Sequence, residues 1–216
     1  MTTTHVIRPD PRALLVAETG TVHNRAAEVV REGGRDIVRL DARPEHGLAW
    51  WHDVPFESGT IAFQVRGKNE PQRSFLGVAF HGVHGGEERD VLSFGDGLTY
   101  EAVYFRPFNF LSEDPARRRH MVQYVFPSER HWSPLREERP GQFEASVNPI
   151  PNPDDWFSAR VVVSDDTVSV FVGAGDTPSL VVTRLCARRS GWLGFYVGNG
   201  SDGAFADLTL TPTHAS

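Results

Sequence analysis

The chain contains one cysteine, one lysine and two methionines among its 216 residues. A single cysteine excludes an intramolecular disulfide and fits a reducing compartment. Cys186 ends the run Val-Val-Thr-Arg-Leu-Cys, which indicates a small buried strand residue rather than a nucleophile. A basic excess is also missing, because 22 Lys and Arg stand against 28 Asp and Glu, for a net charge of −6. Nucleic-acid binders usually carry such an excess, so nucleic acid is not expected as a partner.

Long apolar segments are absent as well. No run approaches the ~20 apolar residues of a membrane span. Residues 1–10 are polar and lack an apolar stretch of signal-peptide length. We therefore expect a soluble, cytoplasmic protein with no membrane partner. The length and the hydrophobic content of 39% predict one domain over residues 1–216 with a core of its own.

The chain is rich in turn residues and aromatics, with 20 Gly, 15 Pro and 11% aromatic residues. Its dominant rhythm has a period of two, interrupted by Gly, Pro, Asn and Asp, and is typical of a β-sandwich or barrel. A polar turn at residues 164–166 predicts a hairpin. The predicted strands lie near Val29 and over residues 36–41, 48–51, 59–67, 75–81, 98–106, 120–126, 161–163, 167–172, 179–185, 192–197 and 204–210.

Helical signals are few. Residues 112–119 place a cap residue and acids before a basic run, which predicts one helical turn. The segment 127–153 holds six prolines and is therefore predicted to be a long loop, neither a helix nor a central strand. Long ordered loops of this kind are often functional.

The chain carries none of the common catalytic motifs: no Walker loop, no dinucleotide-binding glycine pattern, no Gly-x-Ser-x-Gly and no His-Glu-x-x-His. The nine histidines show no recognisable metal-ligand spacing. His81 and His84 are close in sequence, and a turn between strands is the simplest interpretation of that pair.

The first chemically interesting segment covers residues 100–110. Alternation places Tyr100, Tyr104 and Arg106 on one face of a strand and Glu101 on the other. If the Glu101 face meets the core, its carboxylate needs a partner. Glu101 is then either half of a buried pair that joins two strands or a group with a binding or acid/base role.

A second cluster follows in the next strand and in the Pro-rich loop. His120, Gln123 and Tyr124 supply donors and acceptors that suit hydroxyl groups. Trp132 offers a flat apolar face and Arg136 a cation, although Trp132 could equally fix the loop to the sheet.

A third cluster occupies residues 192–203. Leu193, Phe195 and Val197 form the expected core face, so Trp192 and Tyr196 face outward. Gly194 between them, like Gly77 and Ala79 in the earlier strand, leaves room for a ligand or for the covering loop. Asn199 and Asp202 are weak candidates for calcium ligands, and an ordinary Asn-Gly and Asp-Gly turn is the alternative.

Taken together, these segments resemble bacterial members of the concanavalin A-like lectin/glucanase superfamily, the laminin-G-like jelly rolls. The clearest match runs over residues 59–210. The order of landmarks is also similar to that of the 3-keto-disaccharide hydrolase domain family. In that family a Tyr-Glu pair follows a glycine-bearing strand and a Trp begins a later strand, and these positions are here Tyr100, Glu101 and Trp156.

The resemblance implies an all-β jelly-roll β-sandwich of two antiparallel sheets, with a ligand groove on the concave sheet under the Pro-rich loop. It does not extend to the paired acids of retaining glucanases, because Val103 and Phe105 stand where a second acid would follow Glu101. A glucanase mechanism is therefore excluded.

Three hypotheses about function follow. The first is binding of a carbohydrate or glycoside-like ligand, with no cofactor required. The second is elimination from a 3-keto-glycoside by Glu101 or His120 as base, with Arg106 stabilising the enolate. The third is a protein-interaction module. The candidate catalytic residues are Glu101, Arg106 and His120, and the candidate binding residues are His81, Tyr100, Tyr104, Asn109, Gln123, Tyr124, Trp132, Arg136, Trp192 and Tyr196.

Overall fold

The computed structural model describes residues 5–84, 97–127 and 130–213. Four residues of the polar amino-terminal segment and residues 128 and 129 of the Pro-rich loop lie outside these ranges. In the part that is described, no helix combines the length and the apolar character needed to cross a membrane. The strands are β1 Gly20–His23, β2 Ala27–Glu32, β3 Arg35–Leu40, β4 Gly47–Phe56, β5 Gly59–Arg66, β6 Leu76–His84, β7 Leu98–Phe105, β8 Val122–Val125, β9 Glu144–Ala145, β10 Phe157–Val163, β11 Thr167–Val172, β12 Leu180–Thr183, β13 Gly191–Val197 and β14 Gly203–Pro212.

These strands form two sheets of seven strands each. The first sheet has the order β1-β4-β13-β6-β7-β8-β9, and the second has the order β12-β11-β10-β5-β14-β3-β2. The paired strands run antiparallel in both sheets. The predicted all-β fold of two antiparallel sheets is thus confirmed, and so is the hairpin of β10 and β11 around residues 164–166.

The core lies between the sheets and is built by the predicted alternation. In β5 every second residue is buried, beginning at Gly59. Phe195 of the first sheet stacks on Phe205 of the second at 4.3 Å between ring centroids, and Phe105 meets Phe157 edge-on at 5.3 Å. The predicted core face of β13 is therefore correct.

The first sheet is buried on both faces in its centre. All four residues of β8 are buried, and so are seven of the eight in β7. Burial on the face away from the second sheet requires a cover, which the segments after β7 and β8 provide. They contain the 3-10 turn Pro107–Asn109, helix α1 Pro115–Arg118 and helix α2 Trp132–Glu138.

Helix α2 corrects the prediction that residues 127–153 contain no helix. Pro134 occupies its first turn, where the missing N–H would have no intrahelical partner, so the helix tolerates it. The strand in this segment, β9, has two residues and forms the edge of the first sheet, so the exclusion of a central strand is correct. Helix α1 confirms the predicted helical turn, although its cap is Asp114 and not Ser112, the first residue of the predicted segment.

Two local predictions also change. His81 has a φ of 52° and lies inside β6, where the register with β7 shifts between Phe80 and Val83. The pair His81 and His84 therefore marks a β-bulge and not a turn. Cys186 is buried as predicted, but it follows the end of β12 instead of belonging to a strand. Burial raises the pKa of its thiol.

Candidate functional site

A cavity of about 590 Å³ lies over the first sheet, on the face away from the core. Its floor comes from the central strands, and its walls come from the segments after β5, β7, β8 and β13. The predicted residues that line it are Tyr100, Tyr104, Arg106, Asn109, His120, Trp132, Arg136 and Tyr196, with Asn199 at its edge. The structure therefore brings eight of the predicted residues together around one cavity, and their role in binding stays a prediction.

Strand register explains why these distant residues meet. Tyr196 lies opposite Gly77, Gly77 opposite Tyr104, Tyr104 opposite Gln123, and Gln123 opposite Glu144. Residues directly opposite in a ladder project from the same face of a sheet. One row across five strands thus carries two tyrosines, an amide and a carboxylate towards the cavity side.

Three tyrosines form the floor of the cavity. The rings of Tyr104 and Tyr196 lie 5.5 Å apart, and that of Tyr100 lies 6.2 Å from Tyr196. Burial raises the pKa of Tyr104 and of Tyr196. The floor is therefore an aromatic surface with polar tips.

Arg106 is held in the wall with only 5% of its surface exposed. It donates hydrogen bonds to the carbonyl of His120 at 3.1 Å, to the hydroxyl of Tyr104 at 2.9 Å and to Oε1 of Gln123. Its guanidinium also lies 4.9 Å from the centre of the Tyr104 ring. All of these neighbours are neutral.

Glu144 is buried behind the charged side of the cavity, in contact with the lining residues Arg136 and His120, and sequence reasoning missed it. Its carboxylate accepts two hydrogen bonds from Arg136, from Nε at 2.8 Å and from Nη2 at 2.6 Å. Burial alone would raise the pKa of Glu144, but Arg136, His120 and Arg106 outweigh it and lower the pKa. The only local signal was a two-residue alternation after Phe143, too short to predict a strand.

His120 lies between the charged groups and the cavity. Its Nδ1 is 2.8 Å from Oε2 of Glu144, but the ring is not aligned for a hydrogen bond to that oxygen. Burial lowers the pKa of His120 and outweighs the opposing effect of Glu144. Asn109 supports this segment by donating to the His120 carbonyl at 2.9 Å.

Helix α2 supplies a further part of the wall. Trp132 is 40% exposed and lines the cavity next to His131. The guanidinium of Arg136 lies 5.0 Å from the centre of the Trp132 ring, one turn away on the helix. The indole is thus oriented by the same arginine that binds Glu144.

Glu101 is not in the cavity, which corrects its prediction as a catalytic base. Its side chain is fully buried on the core face of β7. Arg184 donates to both of its oxygens, Tyr124 donates to Oε1, and Nδ1 of His81 lies 2.8 Å from Oε2. Burial alone would raise the pKa of Glu101, but the hydrogen bonds from His81, Arg184 and Tyr124 outweigh it, so the pKa is lowered. This is the buried pair that the sequence left as an alternative.

His81 and Tyr124 belong to the same buried cluster and do not reach a ligand in the cavity. Nε2 of His81 lies 2.7 Å from the carbonyl of Glu57. The hydroxyl of Tyr124 accepts from the backbone N–H of Leu185 at 2.9 Å, and burial raises its pKa. Their predicted role as binding residues is therefore wrong for this cavity.

Gln123 and Trp192 lie near the cavity without lining it. Gln123 is buried beneath Arg106, so it positions that arginine. The rings of Trp192 and Trp50 stack with their centroids 4.7 Å apart. The Trp192 ring also occupies the space that a side chain on Gly82 would need. A side chain on Gly194 would likewise collide with Trp50. These glycines therefore make room for tryptophans and not for a ligand.

The calcium candidates do not assemble a ligand set. Oδ1 of Asn199 accepts from the backbone N–H of Glu45 at 2.7 Å, and Oδ2 of Asp202 pairs with the Lys68 ammonium at 3.0 Å. Among the residues that the structure describes, no group of three or more His, Cys, Asp or Glu side chains is arranged to hold a metal ion. Both candidate oxygens are thus engaged within the protein.

Comparison with known proteins places the fold. No protein-family model and no curated protein matches the chain. Among solved structures, a Bacillus subtilis protein of unknown function with a galectin-like fold matches with a TM-score of 0.57 at 12% identity, covering 91% of this chain and 90% of that one. The carbohydrate-binding module CBM66 from Bacillus subtilis matches with a TM-score of 0.57 at 10% identity, covering 88% and 94%.

The exoplasmic/lumenal domain of VIP36, in a form bound to Ca²⁺ and Man₃GlcNAc, is a further match. It has a TM-score of 0.53 at 15% identity and covers 91% of this chain and 85% of that chain. The fold is a galectin-like jelly roll. This agrees with the concanavalin A-like sandwich expected from the sequence, and at such low identity the likeness concerns the fold alone.

Proposed function

We propose that this protein binds a carbohydrate or glycoside-like ligand in the cavity over the first sheet. The observation that carries the proposal is the pairing of an aromatic floor with a polar wall. Tyr100, Tyr104 and Tyr196 present rings, while Arg106, Asn109 and His120 surround them. Sugars offer apolar C–H faces and many hydroxyls, so they need both kinds of surface.

The size and burial of the cavity support this proposal. About 590 Å³ lies within the range of small-molecule sites, which run from roughly 300 to 1,000 Å³. Trp132 stands exposed on the wall formed by α2, where it can cover a sugar ring bound on the tyrosine floor. A cavity with convergent polar groups favours a small ligand over a protein-interaction module.

The structural neighbours add support of a coarser kind. One is by name a carbohydrate-binding module, and another was solved with Man₃GlcNAc bound. Sheet sandwiches of this type therefore do accommodate saccharides. The present chain shares their fold, and its own cavity residues carry the inference to this protein.

The test is a glycan array followed by fluorescence titration of every positive glycan. Binding in the cavity should change the fluorescence emission of Trp132. This emission change should be absent in Trp132→Phe, whose circular dichroism spectrum should match that of the natural chain. A protein that binds no glycan on the array contradicts the proposal and favours the interaction module.

A second candidate is catalysis on a 3-keto-glycoside, and the position of His120, which lines the cavity beside Glu144 and Arg106, favours it. His120 would take the proton at C2, the resulting enolate would be stabilised by Arg106, and its electrons would form the C1–C2 double bond as the anomeric substituent leaves. Glu101 cannot serve as base, because it is buried on the other face of β7.

The enzyme hypothesis is tested with a 3-keto-glycoside and His120→Asn. Turnover that is lost in this variant while ligand affinity is kept supports His120 as the base. Absence of turnover in the unaltered protein, on a glycoside that binds, leaves a binding protein.

A further inference from the structure

The charges around the cavity are unbalanced at one end. Arg106 and Arg136 both line it, and Arg117 stands at its edge. Within residues 5–84, 97–127 and 130–213, Glu144 is the one carboxylate that lies within 4.0 Å of Arg106, at 3.8 Å from Nη1. Two guanidinium groups thus share one carboxylate in the wall.

Arg136 engages that carboxylate, and Arg106 does not. Both oxygens of Glu144 accept from Arg136 in a bidentate pair at 2.8 and 2.6 Å. A separation of 3.8 Å is too long for a hydrogen bond from Arg106. Arg106 is satisfied by a carbonyl, a hydroxyl and an amide oxygen, which take its hydrogen bonds but do not neutralise its charge.

A nearly buried cation without its own counter-ion is costly, since charges removed from water need an opposite charge close by. Arg106 is 5% exposed, and that remaining surface opens on the cavity. An anion bound there would lie against the guanidinium of Arg106.

The other end of the cavity has a different charge. Glu45 lines it just before β4, and β13 and β6 lie between β4 and β7 in the sheet. Neighbouring strands are about 4.8 Å apart, so Glu45 belongs to the far end and does not compensate Arg106. The cavity therefore has a cationic end at β7, β8 and β9 and an aromatic, weakly acidic end at β13 and β4.

We propose that the saccharide bound in this cavity is acidic, and that its anionic substituent, a uronate carboxylate or a sulfate ester, lies against Arg106 at the β7–β9 end. This inference rests on the proposed function and narrows its ligand class. The neutral part of the sugar then lies on Tyr100 and Tyr196, away from Glu144 and towards β13. The planar guanidinium of Arg106 suits either anion.

The primary experiment compares matched oligosaccharides that differ only at C6, glucuronate against glucose and galacturonate against galactose, by titration calorimetry on the full chain. We expect the acidic member to bind about ten-fold or more tightly at low ionic strength, because a hydrogen bond to a charged group exceeds a neutral one. The advantage should shrink as salt is added. Sulfated galactosides form a third arm that distinguishes a sulfate ester from a carboxylate.

Two variants locate the effect. Arg106→Gln should weaken binding of the acidic sugar much more than binding of the neutral sugar, and so remove most of the preference. Glu144→Gln keeps every arginine and removes the carboxylate that competes with the ligand anion for them, so it should increase the preference for the acidic sugar. This variant also tests the inference if Arg106→Gln fails to fold. Arg160→Gln is the matched control, since Arg160 lies over Phe171 on the second sheet.

The outcomes separate this inference from the proposed function. Neutral sugars that bind as well as their acidic partners overturn the inference and leave carbohydrate binding in place. A protein that binds neither kind of sugar overturns both. Equal weakening of acidic and neutral sugars by Arg106→Gln shows that Arg106 only supports the wall, and it contradicts the inference.

Discussion

The guanidinium of Arg184 donates hydrogen bonds to both carboxylate oxygens of Glu101, from Nε to Oε1 at 3.2 Å and from Nη2 to Oε2 at 2.7 Å. Glu101 lies in β7 of the first sheet, and Arg184 follows β12 at the edge of the second. The pair therefore joins the two sheets, and its side chains are 0% and 2% exposed. The carboxylate and its arginine, tyrosine and histidine partners are residue types common in active sites, but the group lies on the core face of β7, away from the cavity.

Replacing Glu101 by Gln should destabilise the protein without weakening ligand binding. The change leaves Arg184 buried without its counter-charge, and breaking a buried pair in this way costs about 3–5 kcal/mol. Urea denaturation measures the loss. Ligand titration of the folded fraction should give the affinity of the unaltered protein.

The double variant Glu101→Gln with Arg184→Gln is the control. Because the two side chains interact directly, the double change should cost less than the sum of the single changes. Loss of ligand binding by folded Glu101→Gln would return this residue to the functional site.

The stability contributed by Glu101 should depend on pH in a defined direction. Its pKa in the folded protein is lowered from the ordinary value of 4.5. The unfolded chain therefore takes up the proton first as the pH falls. The contribution is complete above pH 4.5 and is lost as the pH falls through the lower pKa of the folded state.

The measurement is the free energy of unfolding of the natural chain and of Glu101→Gln across this range. Their difference should be constant from about pH 7 to pH 5 and should decrease below that. A difference that grows on acidification contradicts the assignment of Glu101 as an ionised, paired group.

Removal of the Trp132 side chain should affect binding and spare stability. The indole is exposed on α2, and exposed side chains contribute little to folding. We expect the free energy of unfolding of Trp132→Ala to lie within about 0.5 kcal/mol of that of the natural chain. The variant should bind its glycan about ten-fold more weakly.

The matched control is Trp156→Ala. Trp156 lies between Arg35 and Arg66, which belong to the second sheet, and does not line the cavity. Its replacement should leave affinity unchanged. An unchanged affinity in Trp132→Ala would show that the tryptophan does not contact the ligand and only fixes the loop to the sheet.

Gly77 should be intolerant of any side chain. A Cβ at this position would overlap the carbonyl oxygen of Val103 on the neighbouring strand, so β6 and β7 would have to separate. We expect Gly77→Ala to lose about 1–3 kcal/mol of stability and to weaken binding, because Gly77 lies between Tyr196 and Tyr104 in the floor.

Gly175→Ala provides the comparison for this change. The nearest atoms to a Cβ at Gly175 are 3.9 Å away, which is ordinary contact. Thermal unfolding should therefore be nearly the same as that of the natural chain. Equal stability of the two alanine variants would be inconsistent with a close strand approach at Gly77.

Most of the strands could be predicted from the sequence, because the period of two is a local property of each segment. The two faces of β7 were also assigned correctly, with Tyr100 and Tyr104 opposite Glu101. The short strands β1 and β9 and helix α2 were missed. A two-residue strand has no periodicity, and Pro134 concealed a helix that begins two residues earlier.

The sequence by itself determined the sandwich and brought together Tyr104, Arg106, His120 and Trp132 as candidates for one site. Only the tertiary structure decided which carboxylate belongs to that site. Glu101 is bound by Arg184, which is 83 residues away, while Glu144 lies behind the cavity wall, where it binds the lining residue Arg136. Alternation tells two faces of a strand apart, but which face meets the second sheet and which partner neutralises a charge depend on contacts between distant segments.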